Sequence, residues 1–337
     1  INKLKKMKIK NLNLKNAALI TALAGAFAAS PAFAASTNNA VVVNQSVGSN
    51  NSATVIESNL SASSTTLDQV GNANVALIRQ NDKGLAAQTA ETATVSQSGN
   101  NNAASVWQDA TNVSATITQA GTNNAAVADQ HGVGSVAVTN QTGTNQAVWA
   151  FQNGTGNSYN VNQQSGNNNT AQINQAGSAN TMGLTQSGIG NLTTVDQSGT
   201  GASLTASQAG YWNNVGVNQV GTSSALISQS GNGHNAAVAQ TGNGDTASIS
   251  QLGIGNAALA GQWGNLNSAV ITQDGYMNNG KARQWGDGHT ATYTQTGNQR
   301  ASTADPLSPT VMSESHKLGG IGAIDRTAAN PNRLSET

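Results

Sequence analysis

Between Gln97 and Gln295 apolar and polar residues alternate in short bursts. Small or β-branched apolar residues stand seven and nine positions after each glutamine, polar residues lie between them, and the next glutamine follows at eleven. Gln164-Ser-Gly166 leads to Asn169, Ala171, Ile173 and Gln175, and Gln262-Trp-Gly264 leads to Asn267, Ala269, Ile271 and Gln273. A period of two predicts a strand with one buried face. Glycine two positions after the glutamine, and often asparagine five after it, predict a tight turn, because glycine reaches positive φ without steric cost. Each eleven-residue unit therefore reads as one strand plus one turn.

The register is carried by Gln97, Gln108, Gln119, Gln130, Gln141, Gln152, Gln164, Gln175, Gln186, Gln197, Gln208, Gln219, Gln229, Gln240, Gln251, Gln262, Gln273, Gln284 and Gln295. These nineteen span 198 residues in eighteen intervals averaging eleven, one interval of twelve cancelling one of ten. Two units form a flat coil of 22 residues, and stacked coils place each residue over its equivalent one coil on, about 4.8 Å away. The pattern predicts an all-β, two-sheet parallel β-solenoid of about 11 coils of 22 residues, two strand-turn units per coil. Inside it the glutamines are expected to form two amide ladders, one per sheet. An amide in such a ladder both donates and accepts, which avoids the cost of about 1–3 kcal/mol for an unsatisfied buried group.

Weaker copies precede the regular run: Val41-x-Val43-x-Gln45, then Leu67-x-Gln69, then Gln69-Val-Gly71 with Asn74, Ala76, Ile78 and Gln80. The seventeen residues from Gln80 to Gln97 read as a normal unit with a six-residue insertion near Asp82 to Gln88. All four prolines, Pro31, Pro306, Pro309 and Pro331, fall outside the repeats. Strands inside a stack must donate to the ladder on each side, and proline has no N–H to donate. The chain thus divides into a leader at 1–34, irregular repeats at 35–96, a regular solenoid at 97–297 and a tail at 298–337 expected to be mostly disordered.

Composition fits this picture. Charged residues make up 8% and aromatics 4%, so no thick apolar core is available. The formal net charge of zero hides an asymmetry, since Lys3, Lys5, Lys6, Lys8, Lys10 and Lys15 all precede the apolar run Ala17–Ala29. With Ser30-Pro31-Ala32-Phe33-Ala34, that run reads as a secretory signal peptide cleaved between Ala34 and Ala35. Removing the leader's six lysines leaves eight basic and fourteen acidic residues, a net charge of −6. No Lys or Arg occurs between Lys83 and Lys281, so there is no basic stripe to follow a phosphate backbone and no nucleic-acid partner is expected. No second apolar stretch long enough to span a bilayer follows, so stable membrane insertion is not expected. Cysteine is absent, which removes disulfides and thiolate metal sites.

The repeat resembles that of the curlin subunits of curli fibres, approximately Ser-x5-Gln-x-Gly-x-x-Asn-x-Ala-x3-Gln. Gln175-Ala-Gly177 with Asn180, Met182 and Gln186 follows it, as does Gln119-Ala-Gly121 with Asn124, Ala126 and Gln130. The resemblance implies a secreted structural subunit of an extracellular functional amyloid on the surface of a Gram-negative-type bacterium. It implies self-assembly head to tail for biofilm matrix and cell adhesion. The implied partners are further copies of the chain, a nucleator subunit, an outer-membrane export pore and matrix polysaccharide. Uncapped terminal coils would template growth, and contact between unlike ends does not close, so it yields an open filament.

No catalytic constellation, cofactor site or metal site can be assembled, so no enzyme is expected. His131, His234, His289 and His316 do not converge; His234 and His289 are five half-coils apart, on opposite sides, and read as turn residues replacing asparagine. Gly188-Ile-Gly190 and Gly253-Ile-Gly255 open no helix and carry no phosphate-loop signal. Asp109, Asp129, Asp196, Asp245 and Asp274 are placed at outward or turn positions, where they either restrain association or solvate the surface. Lys281 and Arg283 face outward on one strand. Trp263 and Trp285, 22 apart, should stack at a turn, either gripping sugars or stabilising the ladder. The alternative is a soluble secreted binding solenoid of the adhesin or ice-binding type. Against ice binding, Thr116, Thr118, Thr272, Thr292 and Thr294 occur, but neighbouring coils carry Asn, Asp, Ala or Trp at these positions.

Overall fold

A computed structural model describes residues 12–14, 18–20, 32–34, 39–58, 60–81, 88–304, 311–316 and 325–328. Among the described residues every regular element is a β-strand, and the parallel pairings build two sheets into a β-solenoid of about 11 turns of about 22 residues. The chain divides into two compact units, Ile1–Ala179 and Asn180–Thr337.

In the first unit one sheet, called front, contains Asn39–Ser46, Ser64–Asn72, Thr92–Asn100, Ser114–Thr122, Val136–Thr144 and Ser158–Asn167 in that order. The back sheet contains Ser52–Ser58, Val75–Asn81, Ala103–Gln108, Ala125–Gln130, Ala147–Thr155 and Thr170–Ser178. The chain thus alternates between sheets at every turn. Pairing is parallel and in register, with Gln97 opposite Gln119 and Gln119 opposite Gln141. Gln69 pairs with Gln97 and Gln80 with Gln108, each 28 residues apart, so the inserted coil keeps its register with six extra residues.

The second unit repeats the plan. Its front sheet runs from Thr181–Ile189 through Ser203–Tyr211, Ser224–Asn232, Thr246–Ile254 and Ser268–Tyr276 to Thr290–Asn298. Its back sheet runs from Leu192–Thr200 through Asn214–Val220, Asn235–Asn243 and Ala257–Asn265 to Asn279–Trp285. Both sheets continue past Gly297: Ala301–Ala304 pairs with Asn279–Ala282, and Val311–His316 pairs with Thr290–Gln295. The final edge offers backbone N–H and C=O groups that any segment without proline can satisfy, glutamine or not.

The alternation forecast by the period of two is realised in burial. Ala93, Val95 and Gln97 are buried while Thr92, Thr94 and Ser96 face out, and the same holds for Ala115, Ile117 and Gln119. Alanine and β-branched residues fill the narrow space between the sheets, and Tyr159 and Tyr293 are the bulkiest fully buried side chains. The glycine that stands two positions after most of the column glutamines is required twice over. Gly121 has φ 124°, and a Cβ there would sit 2.0 Å from the carbonyl oxygen of Gly143 in the next coil.

Most of the leader, and Ala35 after it, lie outside the described residues; the described pieces of 1–34 are the short strands Leu12–Leu14, Ala18–Ile20 and Ala32–Ala34. The insertion at 82–87 also lies outside them.

Candidate functional site

The functional feature is a set of side-chain columns inside each unit. In the first unit's front column Gln45 Nε2 donates to Gln69 Oε1 at 2.8 Å, Gln69 to Gln97 at 2.8 Å, Gln97 to Gln119 at 2.9 Å, Gln119 to Gln141 at 2.8 Å and Gln141 to Gln163 at 2.9 Å. The back column runs from Gln80 through Gln108, Gln130 and Gln152 to Gln175 with bonds of 2.7–3.0 Å. In the second unit Gln186, Gln208, Gln229, Gln251, Gln273 and Gln295 form one column. Gln197, Gln219, Gln240, Gln262 and Gln284 form the other. All of these glutamines except Gln45, at the column's end, are buried.

Most of these amide nitrogens also use their second hydrogen. Gln97 donates to the carbonyl of Val75 and Gln119 to that of Ala103, both on the back sheet, at 3.0 Å and 2.9 Å. A single side chain therefore ties a coil both to its neighbour and across the core, which lets an uncharged polar residue occupy a buried position in the core. This cross-core bond has no sequence signal, because it depends on how the turn brings one sheet over the other.

Gln164 is corrected. The column residue is Gln163, which pairs with Gln141 and is buried, whereas Gln164 is exposed. The register shifts between Gln141 and Gly143 on one strand and Gln163 and Gly166 on the other, so a bulge after Gln163 takes up the extra residue. The twelve-residue interval thus lies between Gln163 and Gln175 instead of between Gln152 and Gln164.

A second kind of column lies at the turns and was not foreseen as one. Asn102 Oδ1 accepts the backbone N–H of Asn124 at 3.1 Å, while its Nδ2 donates to the carbonyls of Ser98 and Gly121, each at 3.1 Å. Asn191, Asn213, Asn256 and Asn278 are buried with the same pattern in the second unit. The asparagine at five after glutamine was the available signal. It is a turn-forming residue whose side chain reads the next coil.

The histidines stand where the repeat expects asparagine. His234 receives Asn213 Oδ1 on its backbone N–H, its Nε2 lies 3.1 Å from the Ser230 carbonyl, and its Nδ1 accepts from Asn256 at 3.2 Å. Burial lowers its pKa. His289 takes the asparagine position of the opposite turn, bonded through Nε2 to the Trp285 carbonyl at 2.8 Å. His131 lies elsewhere, between Asp129 at 2.8 Å and Asp109 at 3.7 Å.

Asp245 is also corrected: it sits at a turn, but buried within the column. Its Oδ1 accepts the Asn267 N–H at 2.9 Å, so the aspartate takes the place of an asparagine amide. Trp263 and Trp285 stack with centroids 5.1 Å apart and planes at 8°. Among the described residues no group of three or more His, Cys, Asp or Glu side chains is arranged to hold a metal ion, and no helix is long and apolar enough to cross a membrane.

The outward faces differ in a way that reading successive units together obscured. In the second unit's front sheet fifteen of the eighteen outward positions that precede the column glutamines are Ser or Thr, the exceptions being Gly183, Leu226 and Val270, while Ala209, Leu252 and Asp274 face out just after them. In the second unit the Asn, Asp and Ala that stand at these positions before the glutamines belong to the back sheet, whereas in the first unit Asn140 follows Thr118 in register on the front sheet. In the first unit the back sheet exposes Trp107, Trp149 and Phe151, with Arg79 lying 5.8 Å over the Trp107 ring.

No curated protein matches the chain. The sequence profile described as the curlin associated repeat matches residues 90–121, 222–253 and 245–275. Each matched segment begins and ends within the repeats whose glutamines build the columns, so the chain carries curlin-associated repeats.

Proposed function

We propose that this chain is a secreted, non-enzymatic structural subunit that stacks end to end into an extracellular amyloid fibre. One observation carries the reading. Within each unit the glutamine columns are polar: every Nε2 donates towards the C-terminal coil, from Gln97 to Gln119 to Gln141 and from Gln229 to Gln251 to Gln273. A stack of this kind has an acceptor end and a donor end, each lined by strand edges. Unlike ends are complementary and a contact between them does not close, which supports growth by head-to-tail addition. The leader, the curlin repeats and the resemblance support export through an outer-membrane pore, help from a nucleator subunit, and a role in biofilm matrix and adhesion, with matrix polysaccharide as a further partner.

The test is incubation of purified chain lacking residues 1–34 while following thioflavin fluorescence and fibre diffraction. The expected result is a fibre with reflections at about 4.7–4.8 Å and about 10 Å. A persistent soluble monomer would overturn the reading.

The Ser/Thr face of the second unit favours a second reading, a soluble solenoid that binds ice through a flat, uncharged hydroxyl array. Thermal hysteresis from the monomer, lost when Thr205 and Ser248 are replaced by lysine, would favour it.

A further inference from the structure

Each unit holds a buried carboxylate in a place that a side-chain amide fills in equivalent coils. Glu57 takes the glutamine place in the first unit's back column, opposite Gln80 in register. Asp245 takes the asparagine place in a turn column of the second unit. An amide there supplies both an acceptor oxygen and a donor nitrogen, whereas a carboxylate supplies acceptors alone.

At Asp245 the consequence is specific. Oδ1 already accepts from Asn267, so Oδ2 lies where the amide nitrogen lies in neighbouring coils, and it is buried with no partner. In the equivalent place of the first unit, Asn157 Nδ2 donates to the carbonyls of Asn153 and Gly177 at 2.9 Å and 3.2 Å. The corresponding carbonyls around Asp245 are those of Thr241 and Gly264, and lone pairs facing lone pairs repel. The neutral Ser223 precedes it in the column and the neutral Asn267 follows; the charged group that acts on it is Asp287, of like sign.

Glu57 shows the same deficit at the start of a ladder. Asn39 donates to its Oε2 at 3.1 Å and Thr65 Oγ1 to its Oε1 at 2.7 Å, while the same hydroxyl lies 2.9 Å from Gln80 Oε1. One hydroxyl hydrogen serves two oxygens, and Gln80 Oε1 lacks the donor that Gln108 receives from Gln80. The groups in contact with Glu57 are neutral: Arg79 lies on the outward face against Trp107, and Glu91, the unit's other buried carboxylate, belongs to the turn column beyond Ser63.

We propose that Glu57 and Asp245 are proton-binding sites: each enters the folded stack as the neutral acid, its O–H donating where an amide N–H donates elsewhere in the columns. One proton is taken from solvent per site, and no other reactant is needed. The chain thereby folds more readily in acid, the reverse of ordinary acid denaturation. Burial raises the pKa of both groups, in keeping with the geometry. The sign follows: a carboxyl whose folded pKa is raised stabilises fully below its unfolded pKa, and that stability is lost as pH rises through the folded pKa.

The test uses the full chain and the double variant Glu57→Gln, Asp245→Asn, whose new side chains are the residues normal to these columns. Infrared spectra of the folded protein at neutral pH should show a neutral-acid carbonyl band that loses intensity in the double variant, the buried Glu91 being common to both proteins. Urea midpoints between about pH 4 and about pH 8 should fall with rising pH in the parent, by a tenfold loss in folded-to-unfolded ratio per unit of pKa elevation, and this component should vanish in the variant. Identical pH slopes for the two proteins, or a purely ionised carboxylate spectrum, would overturn the proposal. Both readouts concern the folded chain, so failure to form fibres would count against the proposed function alone.

Discussion

His234 Nδ1 accepts the backbone N–H of Asn256 at 3.2 Å, the same bond that Asn213 Oδ1 makes to His234 one coil earlier at 3.0 Å. An imidazole here imitates a carboxamide, acceptor on one nitrogen and donor on the other. The imitation requires the neutral ring, and burial lowers the pKa accordingly. Stability from this residue is therefore present above the ordinary histidine pKa of about 6.5 and lost as pH falls through the depressed value. His234→Asn should remove that loss. The urea midpoint at about pH 5, taken relative to that at about pH 7, should be higher in the variant than in the parent.

Gln163 and Gln164 are adjacent and distinguishable. Gln163→Ala strands the Oε1-directed donor of Gln141 and should cost about 1–3 kcal/mol. Gln164 is exposed, and Gln164→Ala should stay within about 0.5 kcal/mol of the parent. Denaturant midpoints of the two variants decide it; equal effects would contradict the bulge after Gln163.

Gly121→Ala places a Cβ against the Gly143 carbonyl at a φ of 124° and should cost at least about 1–3 kcal/mol. Gly183 has open space around its Cα and no positive φ, so Gly183→Ala should be neutral or stabilising by about 0.4–1 kcal/mol. Thermal unfolding of the pair separates a glycine held by stacking from one that is replaceable.

Trp212 holds a left-handed turn conformation at φ 57° with 68% of its surface exposed, the conformation Asn123 adopts at the same turn position in the first unit. Asparagine tolerates this region far better than a bulky aromatic. The ring lies over Gly190, a contact that offsets part of the strain. Trp212→Asn should leave stability unchanged or raise it by up to about 1 kcal/mol, measured by urea unfolding.

The sequence alone determined the architecture. A glutamine every eleven residues, with apolar positions at seven and nine and glycine at two, admits one economical solution, because only a strand has period two and only a stacked coil pairs buried amides without limit. The exclusion of proline and the six-residue insertion followed from the same logic, and Gln69 opposite Gln97 confirms that register. Tertiary structure decided what depends on contact between coils and across the core. The Gln163 assignment turned on where a bulge absorbs one residue, which spacing cannot locate. The burial of Asp245 turned on turn side chains pointing inward to read the next coil. Within the second unit, the separation of the hydroxyl-rich front sheet from the Trp263–Trp285 stack of the back sheet turned on consecutive eleven-residue repeats going to different sheets. Neighbours along the chain are therefore not neighbours on a surface, and a one-dimensional reading merges two faces that the fold keeps apart.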